Sequence, residues 1–149
     1  MLFSTLSMKT LLLGAIAVEA FLVYLPFIAV AYGRVTNDYD ISAPRAMIDK
    51  LPDWVKRANW AHQNAWEAFA IFTAAALMAY ASGLDNETAR LQVMAHVAAR
   101  VLFPVFYIAN IPLLRSMMFA VGSICAFSLM FASVTQSMRS EERRVGKEC

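Results

Sequence analysis

The sequence predicts an all-α integral membrane protein, an antiparallel four-helix bundle, and three observations carry that prediction. The 149 residues are 60% hydrophobic and 16% charged, whereas soluble domains average about 45–50% and about 25%. The apolar residues fall into long runs of the kind that cross a hydrocarbon layer, which takes about 20 residues of helix. The second and third breaks between runs are short, so the helices they join must be antiparallel neighbours. A chain of this length is one domain. Its formal charge of +2 is small and its basic residues gather at segment ends, so no nucleic-acid partner is expected. Cys125 and Cys149 give neither a disulfide framework nor the spacing of a metal site, and no metal is expected.

Segment one spans about residues 6–33. Its apolar run continues to Tyr32, well past the roughly 7–15 residues of a secretion signal's core, so it is read as a retained membrane helix. Pro26 is expected to kink it. Glu19 is the first residue out of place. It is either a carboxyl facing the bundle interior, paired or protonated, or a ligand or proton site.

From Arg34 to Lys56 the chain turns polar. A loop of this length, about twenty residues, can fold over the membrane surface near a site. Segment two spans about residues 54–81 and ends at Ser82-Gly83, with Gly83 as the C-cap. Asp85 or Asn86 caps segment three, about residues 88–109, which carries Arg100 in its middle. Asn110-Ile111-Pro112 marks a tight break before segment four, about residues 113–138, which has no charge from Ser116 to Met138. These spans make residues 1–138 one membrane domain. Residues 139–149 turn abruptly charged and look like the translation of a DNA-sequencing adapter read through in frame, so they are read as a non-native tail.

Basic residues set the orientation. Arg34, Arg45, Lys50, Lys56 and Arg57 lie in or beside the first loop, against Lys9 and Arg90 on the other side. The first loop is therefore expected in the cytoplasm, with both termini opposite.

Segment two opens with the polar stretch on which the functional reading turns. At helical spacing Arg57, Trp60 or Ala61, Asn64, Glu67 and Ile71 fall on one stripe. A charge at that depth costs roughly 2.5–3.5 kcal/mol on insertion scales and usually marks a buried site. Counting from the cytoplasmic ends at about 1.5 Å per residue, Asn64 lies about 13 Å deep, Glu67 about 18 Å and Arg100 about 13 Å. Glu67 and Arg100 are therefore expected within reach of each other. Arg100, Phe103 and Tyr107 share one face of segment three, and Arg57, Tyr107 and Arg115 lie nearer the cytoplasmic mouth. Two readings compete. Glu67 and Arg100 can form a structural ion pair while Arg57 and Arg115 snorkel to headgroups, or the set can bind a small anionic ligand. His62, beside the stripe, is read as a helix-contact residue.

With these residues in view, the sequence resembles the MAPEG family, membrane-associated proteins in eicosanoid and glutathione metabolism, and its bacterial members most. The carriers are Asp38-Tyr39-Asp40 with Pro44-Arg45 in the first loop, Ala61-His62-Gln63-Asn64-Ala65-Trp66-Glu67 in segment two, Arg100 with Tyr107 in segment three, and Leu114-Arg115-Ser116 opening segment four. The resemblance covers nearly the whole chain as far as Met138. It implies a homotrimer in a bacterial inner membrane, with a glutathione pocket at each subunit interface, glutathione as co-substrate and a hydrophobic small molecule as second substrate. Asn64 and Glu67 would hold the peptide's polar ends, Arg57, Arg100 and Tyr107 would contact it, and Arg115 would face the thiol as the catalytic residue. Trp60 stands where characterised members carry an arginine, with Arg57 one turn earlier as the nearest cation, and Phe103 stands where some carry tyrosine or histidine.

The function this implies is a membrane-embedded glutathione-dependent transferase or peroxidase. Two alternatives stay open: a small proton-coupled multidrug exporter working through Glu19, and a MAPEG-fold protein whose catalytic site has decayed.

Overall fold

The computed structural model describes residues 6–37, 40 and 42–148. Asp38 and Tyr39, which carry part of the first-loop resemblance, lie outside the described residues. The described chain holds four long helices: α1 (Met8–Val35), α2 (Asp53–Ser82), α3 (Glu87–Ile108) and α4 (Pro112–Glu148). All four are long and apolar enough to cross a membrane, and the chain is an integral membrane protein.

The ends follow from local chemistry. The Ser7 hydroxyl accepts from the Thr10 N–H at 3.2 Å and starts α1. Gly83, at φ 66°, takes the left-handed conformation that closes α2. Asn86 then accepts from the Ala89 N–H at 2.8 Å to start α3. At the third break Asn110 adopts φ 58°, a conformation asparagine tolerates better than most side chains, and Pro112 supplies a pre-set first residue for α4. In the first loop, the Ser42 N–H donates to Asp40 at 2.8 Å, and this bond holds the Asp40 carboxyl below its ordinary range. A single turn of 3-10 helix, Ile48–Lys50, leads into α2.

One boundary differs from the hydropathy pattern. The helix of segment four does not stop at Met138 but continues to Glu148. Arginine and glutamate between residues 139 and 144 are good helix formers. Polarity therefore ends the apolar span without ending the helix.

Small residues let the helices approach. Ala58, Ala61, Ala75, Ala76 and Ala79 of α2 are fully buried, a composition that replaces the missing hydrophobic drive with close packing in lipid. Two apolar clusters result. The larger joins Leu12, Phe72, Ala76, Val93 and Leu129 from all four helices, and the smaller joins Val30, Leu51, Val55 and Ala58 near the first loop. Between them α1, α2 and α3 bring polar side chains inward. The outer surface is apolar, with Phe21 80% and Phe131 73% exposed, as lipid or subunit contact requires.

α1 and α2 approach each other closely at Gly33. A Cβ at Gly33 would overlap the methyls of Val55, standing 2.8 Å from Cγ1, and Val55 is fully buried and β-branched, with no room to turn away. Gly33→Ala is expected to destabilise the bundle by about 1–3 kcal/mol through overpacking. Thermal unfolding in detergent checks this, and an unchanged melting temperature would mean that α1 shifts freely.

Candidate functional site

Glu19, His96 and Arg100 are buried between the two apolar clusters, with 2%, 2% and 5% of their surface exposed. Polar groups at such depth are costly unless partnered, so their partners define the site. Arg100 Nη2 donates to Asn64 Oδ1 at 3.1 Å and lies 3.4 Å from the same residue's carbonyl oxygen. The guanidinium also sits over the Phe103 ring, with Cζ 4.5 Å from the centroid. The His96 ring stacks on Phe72 at 4.1 Å, with 10° between planes. Its Nδ1 donates to the Gly122 carbonyl at 2.8 Å, and its Nε2 faces Glu19 Oε1 at 3.6 Å.

A cavity of about 220 Å³ opens beside this layer, with Asn64, Glu67 and Ile71 from α2, His96 and Arg100 from α3, and Phe119, Gly122 and Phe127 from α4 among its walls. Asn64, Glu67 and Ile71 thus lie along one wall, at the spacing the sequence marks. Depth counting puts Asn64 and Arg100 level, and these two are joined by a hydrogen bond.

Glu67 and Arg100 share the cavity without forming an ion pair. Ion-pair contacts join Lys56 with Asp53, Arg90 with Asp85, and His96 with Glu19, and none of these involves Glu67 or Arg100. The reason is geometric. Asn64 sits about 4.5 Å nearer the mouth along α2 and takes the guanidinium, while Glu67 is exposed.

Arg57, Tyr107 and Arg115 lie outside the cavity wall. Arg57 Nε donates to the Ile108 carbonyl at 3.1 Å, satisfying one of the groups left open at the end of α3. Arg115 lies over Tyr107, with Cζ 4.8 Å from the ring centroid, and Tyr107 meets Phe103 edge-on at 5.4 Å. Cations and rings therefore alternate, from Arg100 through Phe103 and Tyr107 to Arg115. The row runs from the cavity to the start of α4.

His96 is the site residue that the sequence reading misses. Its signal was its spacing, four residues before Arg100 and so on the same helical face. His62, by contrast, makes a helix contact: its Nδ1 donates to the Val23 carbonyl at 2.8 Å, and its ring packs 5.1 Å from Phe27. Trp60 is 48% exposed and away from the cavity.

The structure is thus a helical membrane bundle with a buried arginine, an amide and a carboxylate around one cavity. The family follows from the whole chain: residues 11–135 match the model described as the MAPEG family, and the protein belongs to it. This is a family of glutathione-related membrane enzymes. No curated protein and no solved structure matched the chain.

Proposed function

We propose that the protein is a membrane-embedded, glutathione-dependent transferase or peroxidase acting on small hydrophobic electrophiles. The observation that carries this reading is the buried Arg100 guanidinium in the cavity wall, fixed by Asn64 and within ion-pair distance of no described carboxylate. Such a group is suited to an incoming carboxylate, because charge-assisted hydrogen bonds to arginine are strong. Glutathione offers carboxylates for Arg100 and Asn64 and an ammonium for Glu67. Arg57 and Tyr107 contact it nearer the mouth, which faces the cytoplasm by the distribution of basic residues.

Arg115 is assigned to the sulfur. A free thiol has a pKa of about 8.5 and is mostly protonated near neutrality, whereas a guanidinium beside it favours the thiolate that attacks electrophiles. Arginine suits the task because it stays charged and is less strongly hydrated than lysine.

The cavity within one chain, about 220 Å³, is smaller than the roughly 300–1,000 Å³ of typical ligand pockets. Its rim residues Ile71, Phe119 and Phe127 are 39%, 49% and 58% exposed. A second copy packed on that rim would complete the pocket, in keeping with a homotrimer. Proton-coupled export through Glu19 is the weaker reading, since Glu19 faces His96 and does not line the cavity.

The test is calorimetry of the purified protein in detergent at millimolar glutathione, with conjugation of a small aryl halide as the activity. Saturable binding with turnover is expected. Absence of binding would overturn the proposal, and binding without turnover would favour the decayed fold.

A further inference from the structure

His96 of the cavity wall and Glu19 behind it form a pair of groups that anion binding by Arg100 does not itself require. Glu19 Oε1 and His96 Nε2 are both buried, neither has a hydrogen-bond partner, and they stand 3.6 Å apart. A carbonyl oxygen only accepts, so the 2.8 Å contact with Gly122 fixes the His96 ring hydrogen on Nδ1. In the neutral ring Nε2 is then bare. It directs a lone pair at a carboxylate oxygen that has only lone pairs to return. A single proton between the two atoms turns this opposition into a hydrogen bond, with a small closing movement toward the usual 2.7–3.2 Å.

We propose that Glu19 and His96 form a buried proton-binding site coupled to the anion site, so that a proton enters the pair when an anionic ligand settles against Arg100. The inference rests on the reading that this cavity takes a glutathione-type anion. Charge balance supplies the coupling. His96 stands one turn before Arg100 on the same face of α3 and both line the cavity, so Glu19, 3.6 Å from the His96 ring, belongs to the same buried layer as the guanidinium. With the pair unprotonated, the Glu19 carboxylate offsets Arg100 and the layer is neutral. With one proton added from solvent, the layer carries one positive charge that a bound carboxylate neutralises. Each event favours the other, as linkage requires.

The surroundings contain little else that could take this role. α2 contributes Glu67 on the cavity wall and His62 hydrogen-bonded to the Val23 carbonyl of α1. α3 contributes Arg100 itself. α4 offers no charged side chain between Ser116 and Met138, only the Cys125 thiol one turn from Gly122. The sign follows directly. The ligand-bound form holds the proton more tightly, so anion affinity falls as pH rises through the titration of the pair, by up to about tenfold per pH unit.

Calorimetry with S-methylglutathione, which has no free thiol to titrate, tests this in two buffers of different ionisation enthalpy from about pH 5.5 to about pH 8. The wild type is expected to take up close to one proton per ligand toward the alkaline side. Glu19→Gln, whose amide donates permanently to Nε2, should bind with no uptake and should exceed wild-type affinity at the alkaline end. Should Glu19→Gln fail to fold, His96→Asn keeps an amide donor for the Gly122 carbonyl and should move the pH of greatest uptake. Binding without uptake in the wild type, equal uptake in Glu19→Gln, or an unmoved maximum in His96→Asn would each overturn the coupling. No binding of S-methylglutathione by the wild type would instead overturn the glutathione reading.

Discussion

Arg100→Met is expected to weaken glutathione binding by about 2–4 kcal/mol, or roughly 30- to 1,000-fold, with the fold kept. The magnitude is that of removing one partner from a buried, hydrogen-bonded charge pair. The fold should survive because methionine fills a comparable space and its sulfur can rest against Phe103, where the guanidinium now lies. Asn64 loses its donor but lies only partly buried on the cavity wall, where water can replace it. Calorimetry gives the affinity and thermal unfolding in the same detergent gives the stability. If the melting temperature collapsed while the surviving protein bound glutathione as before, Arg100 would be a packing residue and the cavity would lose its cation.

Arg115→Ala should separate binding from chemistry. Turnover with a small aryl halide is expected to fall about 10²- to 10³-fold, the usual cost of removing one group that stabilises developing charge. Glutathione affinity should change little, because Arg115 stands outside the cavity wall, held over Tyr107 at the start of α4. Arg115→Lys should recover part of the rate, since it keeps the charge but not the planar stacking geometry. A variant that lost affinity and kept its rate at saturation would place Arg115 among the binding residues.

The bundle was legible because its determinants are local. Apolar runs punctuated by Gly83, Asn86 and the Asn110-Ile111-Pro112 break are enough to fix where α2 stops, where α3 begins and ends, and where α4 begins. Depth was legible as well: a constant rise per residue brings Asn64 level with Arg100, and the two are bonded. Rotation of each helix about its axis was not. The same depth count left Asn64 and Glu67 both within reach of Arg100, and in the packed bundle, where α2 buries its alanine-rich face, Asn64 is the partner. Glu19 and His96 lie on helices that are not consecutive, so no spacing rule joins them. Their meeting depends on how α1 and α3 are turned, which the sequence pattern leaves open. The extension of α4 to Glu148 shows the complementary point, that hydropathy marks the span and helix propensity marks the helix.

The measurement closest to the central claim is the ultraviolet thiolate absorbance of glutathione on mixing with the purified wild-type protein at neutral pH. A positively charged, membrane-embedded pocket that holds the ionised peptide should produce a thiolate signal that saturates with protein and is lost in Arg115→Ala. Glutathione bound in the same sample with no rise in thiolate absorbance would contradict it.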